Sequence, residues 1–235
     1  IQLSAATLSG QPTITYTVPT DVTAQQDILT AKATDYQSAY PFPIVALDFN
    51  HTLCAIQFKT GSVLPAGINI KSISFKNIPY KGTHKIGDTG NSAWTVEPTL
   101  KRDFSINTNY TSDGTSGKDI TTTAQTFMMI PQTLPSDASL QVVVSKNGID
   151  KTLTLALNNF KWEQGKRIIY NISTKSIDYT YSLEVNSTGT SNYDGTGNIT
   201  YNIKSTKTDG FGNKEFCPWT MEFSTDNGNN WTTNK

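Results

Sequence analysis

Apolar and polar residues alternate with a period of two along most of this chain, and no stretch sustains a period near 3.6. Ile14, Tyr16 and Val18 alternate in TITYTV, and Leu140, Val142 and Val144 in LQVVV. Leu153, Leu155 and Leu157 do so in TLTLAL, and Ile168, Tyr170 and Ile172 in RIIYNIS. Turn formers separate the runs: PAG at 65–67, GDTGNS at 87–92, SDGTSGKD at 112–119 and KNGID at 146–150. Asn147-Gly148, set between two alternating runs, predicts a hairpin turn. Short strands at this spacing predict an all-β sandwich or barrel. VTAQQDILTA (22–31) is the one stretch read as a brief helix.

The segment LDFNHTLCAIQF (47–58) breaks the alternation. Val45, Leu47 and Phe49 share one parity, whereas Cys54, Ile56 and Phe58 share the other. A continuous strand keeps one parity per face, so the phase must slip between Phe49 and Cys54. A bulge or tight turn at Asn-His-Thr would do this, and it puts His51 at the slip, its ring nitrogens within reach of unpaired backbone groups. As a metal ligand His51 would need partners. The other histidine, His84, falls in YKGTHKIG, read as a loop, and no spaced ligand set exists. His51 is therefore read as structural.

After Lys175 the character changes. YTYSLEV (179–185) opens a new alternating run, followed by NSTGTSNYDGTGN, ITYNIKS, CPWTMEF and STDNGNNW. A domain boundary is placed near residue 177. Residues 178–235 carry four lysines against seven acids, a formal charge of −3, which leaves +3 for residues 1–177.

Composition narrows the function classes. The chain has 235 residues, 36% of them hydrophobic, with Thr, Ser and Asn abundant, a mix that suits strands with wet, hydroxyl-bearing faces. Nineteen basic residues balance nineteen acids, so the basic footprint that phosphate backbones require is missing, and no nucleic-acid partner is expected. Cys54 and Cys217 form no Cys-x-x-Cys pair and are read as small hydrophobes in strands of different domains. Asp88-Thr89-Gly90 resembles the active loop of aspartic proteases, but that chemistry needs a second carboxylate sharing a proton, and no second Asp-Thr-Gly or Asp-Ser-Gly is present. It is read as a hairpin loop. NYDGTGN and STDNGNN lack the alternating acids and terminal glutamate of a calcium loop. The Asn-x-Ser/Thr triplets at Asn50, Asn109, Asn171, Asn186, Asn198 and Asn230 are what an Asn- and Thr-rich chain gives by chance. Of Trp94, Trp162, Trp219 and Trp231, most are expected in core. No catalytic, metal or cofactor-binding residue is assigned, no cofactor is expected, and the ligand-binding residues are left open. An enzyme is not expected.

Four stretches together carry a resemblance: YTVPTDVTAQQDILTA, VALDFNHTLCAIQF, FMMIPQTL and NNFKWEQGKRIIYNIS. In order and spacing, over roughly residues 13–175, they resemble the fimbrillin-like proteins of Bacteroidetes. The matching positions are Asp27–Ala31, then Phe49, His51 and Leu53, then Ile130–Gln132, and finally Trp162, Gly165 and Ile169–Tyr170. The resemblance implies a transthyretin-like β-sandwich in a surface lipoprotein that acts as a pilus subunit or adhesin. Residues 1–33 would then be the end of a first sandwich plus linker, and 34–177 the fimbrillin-like sandwich. Residues 178–235 resemble the opening of an Ig-like module related to the BACON domains of Bacteroidetes surface proteins. The implied partners are other pilus subunits, joined by strand exchange, or host protein or glycan ligands. The implied location is the bacterial cell surface, held at the outer membrane through a lipidated N-terminus absent from this chain. The starting point of the chain, IQLSAATLSG, without initiator Met or signal peptide, is read as a cut end. Arg102 and Arg167 are the arginine cleavage points open to a trypsin-like protease, and both adjoin strand-like runs, which argues against cleavage there.

Overall fold

The computed structural model describes residues 1–3, 12–32, 46–62, 64–173, 180–188, 200–224 and 229–233. They fall into two units, Ile1–Thr174 and Lys175–Lys235. Among the described residues there are strands and three single 3₁₀ turns but no α-helix.

The first unit is a sandwich. One sheet has four antiparallel strands in the order Ile149–Ala156, Ser139–Lys146, Asn69–Pro79, Lys101–Thr111. The facing sheet places Cys54–Thr60 between Phe127–Met129 and Arg167–Ile172. Arg167–Ile172 runs parallel to Cys54–Thr60, and a parallel pair needs a long crossover. Here the whole four-stranded sheet is built between the two strands. A smaller sheet carries Thr13–Thr17, Lys81–Lys85 and Trp94–Val96. Thr13–Thr17, expected to close a preceding sandwich, pairs with Lys81–Lys85 and contributes Ile14, Tyr16 and Val18 to the core of this unit.

Alternation does the sorting. In CAIQFKT every second residue, Cys54, Ile56, Phe58 and Thr60, is buried. The core centres on Phe75, whose ring lies 5.1 Å from Phe127, 5.1 Å from Trp162, 5.8 Å from Phe58 and 5.9 Å from Tyr170. Such aromatic pairs add roughly 0.5–1.5 kcal/mol each beyond the area they bury. The Asn147-Gly148 hairpin is present as expected, with φ of 53° and 80° and Lys146 opposite Ile149. Cys54 is buried in its strand, its Sγ donating to the Met129 carbonyl, and burial pushes the thiol up to about 12. Cys217 is also free, but it follows the Lys214–Phe216 strand rather than lying within one.

Three local expectations are corrected. Residues 22–31 do not form a helix beyond the turn Val22–Ala24. Asp21 caps that turn, and Gln25 then swings inward, its side chain donating to the Pro19 carbonyl and accepting from the Met128 amide. Extended backbone follows, and the chain leaves the turn to pair Leu29–Thr30 with Asn50–His51, with the Ile28 carbonyl taken by the Thr52 amide instead of a helical donor. Second, Leu47 and Phe49 are 48% and 62% exposed and precede the strand rather than belonging to it; Val45 lies outside the described residues. The slip falls at Thr52–Leu53, where Thr52 donates both its amide and its hydroxyl to the Ile28 carbonyl. Asn50–His51 thereby pairs with Leu29–Thr30.

Third, His84 sits in the Lys81–Lys85 strand, not a loop, and is fully buried with its ring 5.0 Å from that of Trp94. Neither ring nitrogen has a hydrogen-bond partner among the described residues. Burial lowers its pKa, opposed in part by the nearby Asp88 carboxylate. The unfolded chain therefore binds a proton near pH 6.5 that the folded chain resists. Stability is expected to be level above about pH 7.5 and to decline as pH falls through and below 6.5. Urea midpoints across pH 5–8 for the natural protein and His84→Phe check this. A variant with the same decline as the natural chain would exclude His84 as its source.

The second unit holds an antiparallel sheet in the order Thr180–Thr188, Thr200–Thr208, Lys214–Phe216, and a short Glu222–Phe223 pair with Thr232–Thr233. Phe211 is buried, while Tyr181, Leu183, Val185 and Tyr201 are exposed.

Candidate functional site

The two facing sheets of the sandwich differ by one strand, and one flank between them is left open. On the closed flank, the Gln125 side chain donates to the Asn107 carbonyl at 3.0 Å, tying the segment before Phe127–Met129 to the Lys101–Thr111 edge. The opposite edges, Ile149–Ala156 and Arg167–Ile172, therefore share the other flank. Neither has a further strand partner among the described residues.

Side-chain burial locates the vacancy. Leu140 and Val142 are 4% and 3% exposed, yet the residues opposite them, Leu155 and Leu153, are exposed and half-buried. Directly opposed residues project to the same face, so Leu153 and Leu155 point inward over nothing. Ile149, in phase with them, is 44% exposed. Across the gap, Ile168 and Tyr170 face inward but are only half-buried, whereas Ile172 is buried. The flank thus presents a stripe of inward apolar side chains between two strand edges that have no further partner among the described residues. Such an edge is a template for another chain.

The residues that carried the family resemblance do not line this flank evenly; most hold the frame around it. His51 Nδ1 pairs with the Asp27 carboxylate, not with backbone groups freed by a bulge. Leu53 is buried and its carbonyl accepts from the Gly165 amide at 3.0 Å. Gly165 has φ of 68°, which favours glycine there. Buried Gln132 donates to the Pro79 and Ile130 carbonyls. Trp162 is fully buried and its indole N–H donates to the Tyr170 hydroxyl at 3.2 Å, which fixes the strand that forms one lip of the open flank. Burial raises the Tyr170 pKa.

The remaining sequence features are scattered. Asp88-Thr89-Gly90 lies between two strands, ahead of the Asn91–Ala93 turn. Its useful residue is Asn91, which donates to the Trp162 carbonyl at 2.7 Å and accepts from the Gln164 amide at 3.0 Å. Trp94 and Trp162 are core, but Trp219 and Trp231 are 40% and 64% exposed. Arg102 lies over the Tyr80 ring at 4.1 Å and donates to Thr20, and Arg167 donates to Gln57. Asn198 and the NYDGTGN stretch lie outside the described residues. Among the described residues no group of three metal-ligating side chains could hold an ion. No helix there is long and apolar enough to cross a membrane. Sequence reasoning left open which residues line this flank.

The profile of the fimbrillin-like family matches residues 5–192. No curated protein matches the sequence. Among solved structures, a candidate cell adhesion protein from Bacteroides ovatus is similar, with 20% identity and a TM-score of 0.49 over 86% of this chain. A second, from Bacteroides uniformis, has 17% identity and a TM-score of 0.44 over 86% of this chain. A third, from Bacteroides thetaiotaomicron, has 14% identity and a TM-score of 0.34 over 70%. This chain spans 63%, 68% and 65% of the lengths of those three chains, respectively.

Proposed function

The chain belongs to the fimbrillin-like family, and from that premise we propose that it is a non-catalytic cell-surface adhesion or fimbrial subunit that joins its neighbours by strand complementation. The observation that carries this reading is the open flank. An extended segment from a neighbour would pair its backbone with Arg167–Ile172 and seat alternate apolar side chains against Leu153, Leu155 and Tyr170. Covering each such side chain contributes roughly 1.5–3 kcal/mol, so a handful is enough for a stable joint. In this reading the protein works outside the cell, at the outer membrane. Exposed Trp219 and Trp231 support a second reading, a surface lipoprotein that captures glycans on aromatic faces.

The experiment is a denaturing gel of surface extracts from cells that make the protein, with and without boiling, blotted for this chain. Strand-joined subunits give a ladder that collapses to one band on heating. One band under both conditions would overturn the polymer and leave the glycan reading.

A further inference from the structure

A second concavity, of about 640 Å³, is lined by outward-facing residues of the Cys54–Thr60 sheet. Its walls are mostly hydroxyls, amides and two charged side chains, with half-buried Tyr110 and exposed Arg167 among them. Loop residues line it as five in a row, Asp119, Ile120, Thr121, Thr122 and Thr123, followed by Gln125.

Each wall is fixed by named bonds. Arg167 Nε donates to the Gln57 side chain at 2.7 Å, and Gln57 donates in turn to Thr126 Oγ1 at 2.8 Å. Gln125 closes a capping box with Thr122 and donates to the Asn107 carbonyl at 3.0 Å, so the loop is clamped to the strand behind it. That strand carries a bulge at this place: Tyr110 stands opposite Ile70 and Asn107 opposite Ser72, and the intervening Asn109 has φ of 49°. Asn tolerates the left-handed conformation there, and a bulge re-aims the side chains beside it. Here those side chains, Asn109 and Tyr110, are walls of the concavity.

Its charges are unequal. Asp119 is held by Lys59 at 3.0 Å. In the adjoining cleft of about 460 Å³, which shares Arg167, the Asp27 carboxylate is held by His51. Arg167 instead spends only its Nε, on a neutral amide, and its two terminal nitrogens have no partner among the described residues. A guanidinium fork left open in a rigid polar trough fits a carboxylate. The hydroxyl and amide walls fit a polyol, and Tyr110 fits the apolar face of a sugar ring. A peptide would more readily use the apolar flank and strand edges described above.

We propose that this trough binds an acidic saccharide, with the sugar carboxylate on Arg167 and a ring against Tyr110. The proposal does not rest on strand complementation, because Arg167 projects to the outer face while the open flank uses the inner one. Titrate the full chain, by calorimetry, with 3′-sialyllactose, a hyaluronan tetrasaccharide and neutral lactose. At least one acidic probe should bind roughly tenfold to a hundredfold more tightly than lactose, the range of one charge-assisted hydrogen-bond pair. Arg167→Gln should remove that preference, and Tyr110→Ala should weaken all binding, with unfolding midpoints unchanged. Leu155→Asp should leave saccharide affinity as it is. Failure of both acidic probes to bind the folded chain overturns the site. So does a preference that survives Arg167→Gln, or a tetraglutamate peptide that binds as tightly as the acidic sugars.

Discussion

Phe75→Ala is expected to lower the stability of the first unit by about 3–5 kcal/mol. The ring is fully buried and meets Phe58, Phe127, Trp162 and Tyr170, which come from four different strands of the sandwich. Removing it opens a cavity that no single neighbour can fill without leaving its own contacts, so relaxation recovers little of the loss. For a unit the size of Ile1–Thr174, that cost corresponds to a melting point lower by roughly 10 °C. Phe49→Ala is the matched control. Phe49 is 62% exposed, so its truncation should change the midpoint by less than about 0.5 kcal/mol. Thermal and urea unfolding of both variants check the pair. Equal losses from the two would mean that Phe75 is not the hub its contacts describe.

The contrast between those two phenylalanines shows what alternation can and cannot tell. Phe49 and Phe75 sit in sequence contexts of similar pattern, and period two gives each an apolar face. What separates them is the Thr52 and Ile28 pairing, which diverts the chain before Cys54 and depends on residues 24 positions apart. The strand Cys54–Thr60 and the Asn147-Gly148 hairpin were legible because their determinants are local: strict alternation in one, two residues at positive φ in the other. His84 was misread because flanking glycine and lysines look like a loop, while its burial comes from Trp94 on a neighbouring strand. The family motif was legible as a pattern, but its roles were not. His51 pairs with the Asp27 carboxylate, and the Trp162 indole donates to the Tyr170 hydroxyl, each partner lying at a spacing the motif does not encode. The open flank was hidden for a more general reason. TLTLAL alternates as a buried strand does, and alternation fixes which face is apolar without saying whether another sheet covers it. Only the burial difference between Leu140 and Leu155, directly opposed in one sheet, locates the open flank. The trough was equally hidden, since Gln57, Tyr110 and Arg167 come together from distant parts of the chain.

Leu155→Asp should abolish the heat-labile ladder while leaving the first unit folded. In the unjoined subunit Leu155 is 47% exposed, so a carboxylate there remains hydrated and costs under about 1 kcal/mol. Under an incoming strand the same carboxylate would be buried without a partner, a penalty of several kcal/mol on top of the lost apolar contact. Each 1.4 kcal/mol is about tenfold in affinity, so the joint should weaken by at least about a hundredfold. Thr154→Asp provides the directional test. Thr154 is the neighbouring residue of the same strand, opposite Gln141, and it projects to the outer face. If complementation fills the gap between the sheets, the Thr154 variant keeps its ladder and the Leu155 variant loses it. If subunits instead meet through an outer face of the sheet, Thr154→Asp is the damaging change. A ladder of natural intensity in Leu155→Asp would rule out this flank as the joint. The two variants differ by one residue and one face, so the outcome reports on where the neighbour sits and not merely on added charge.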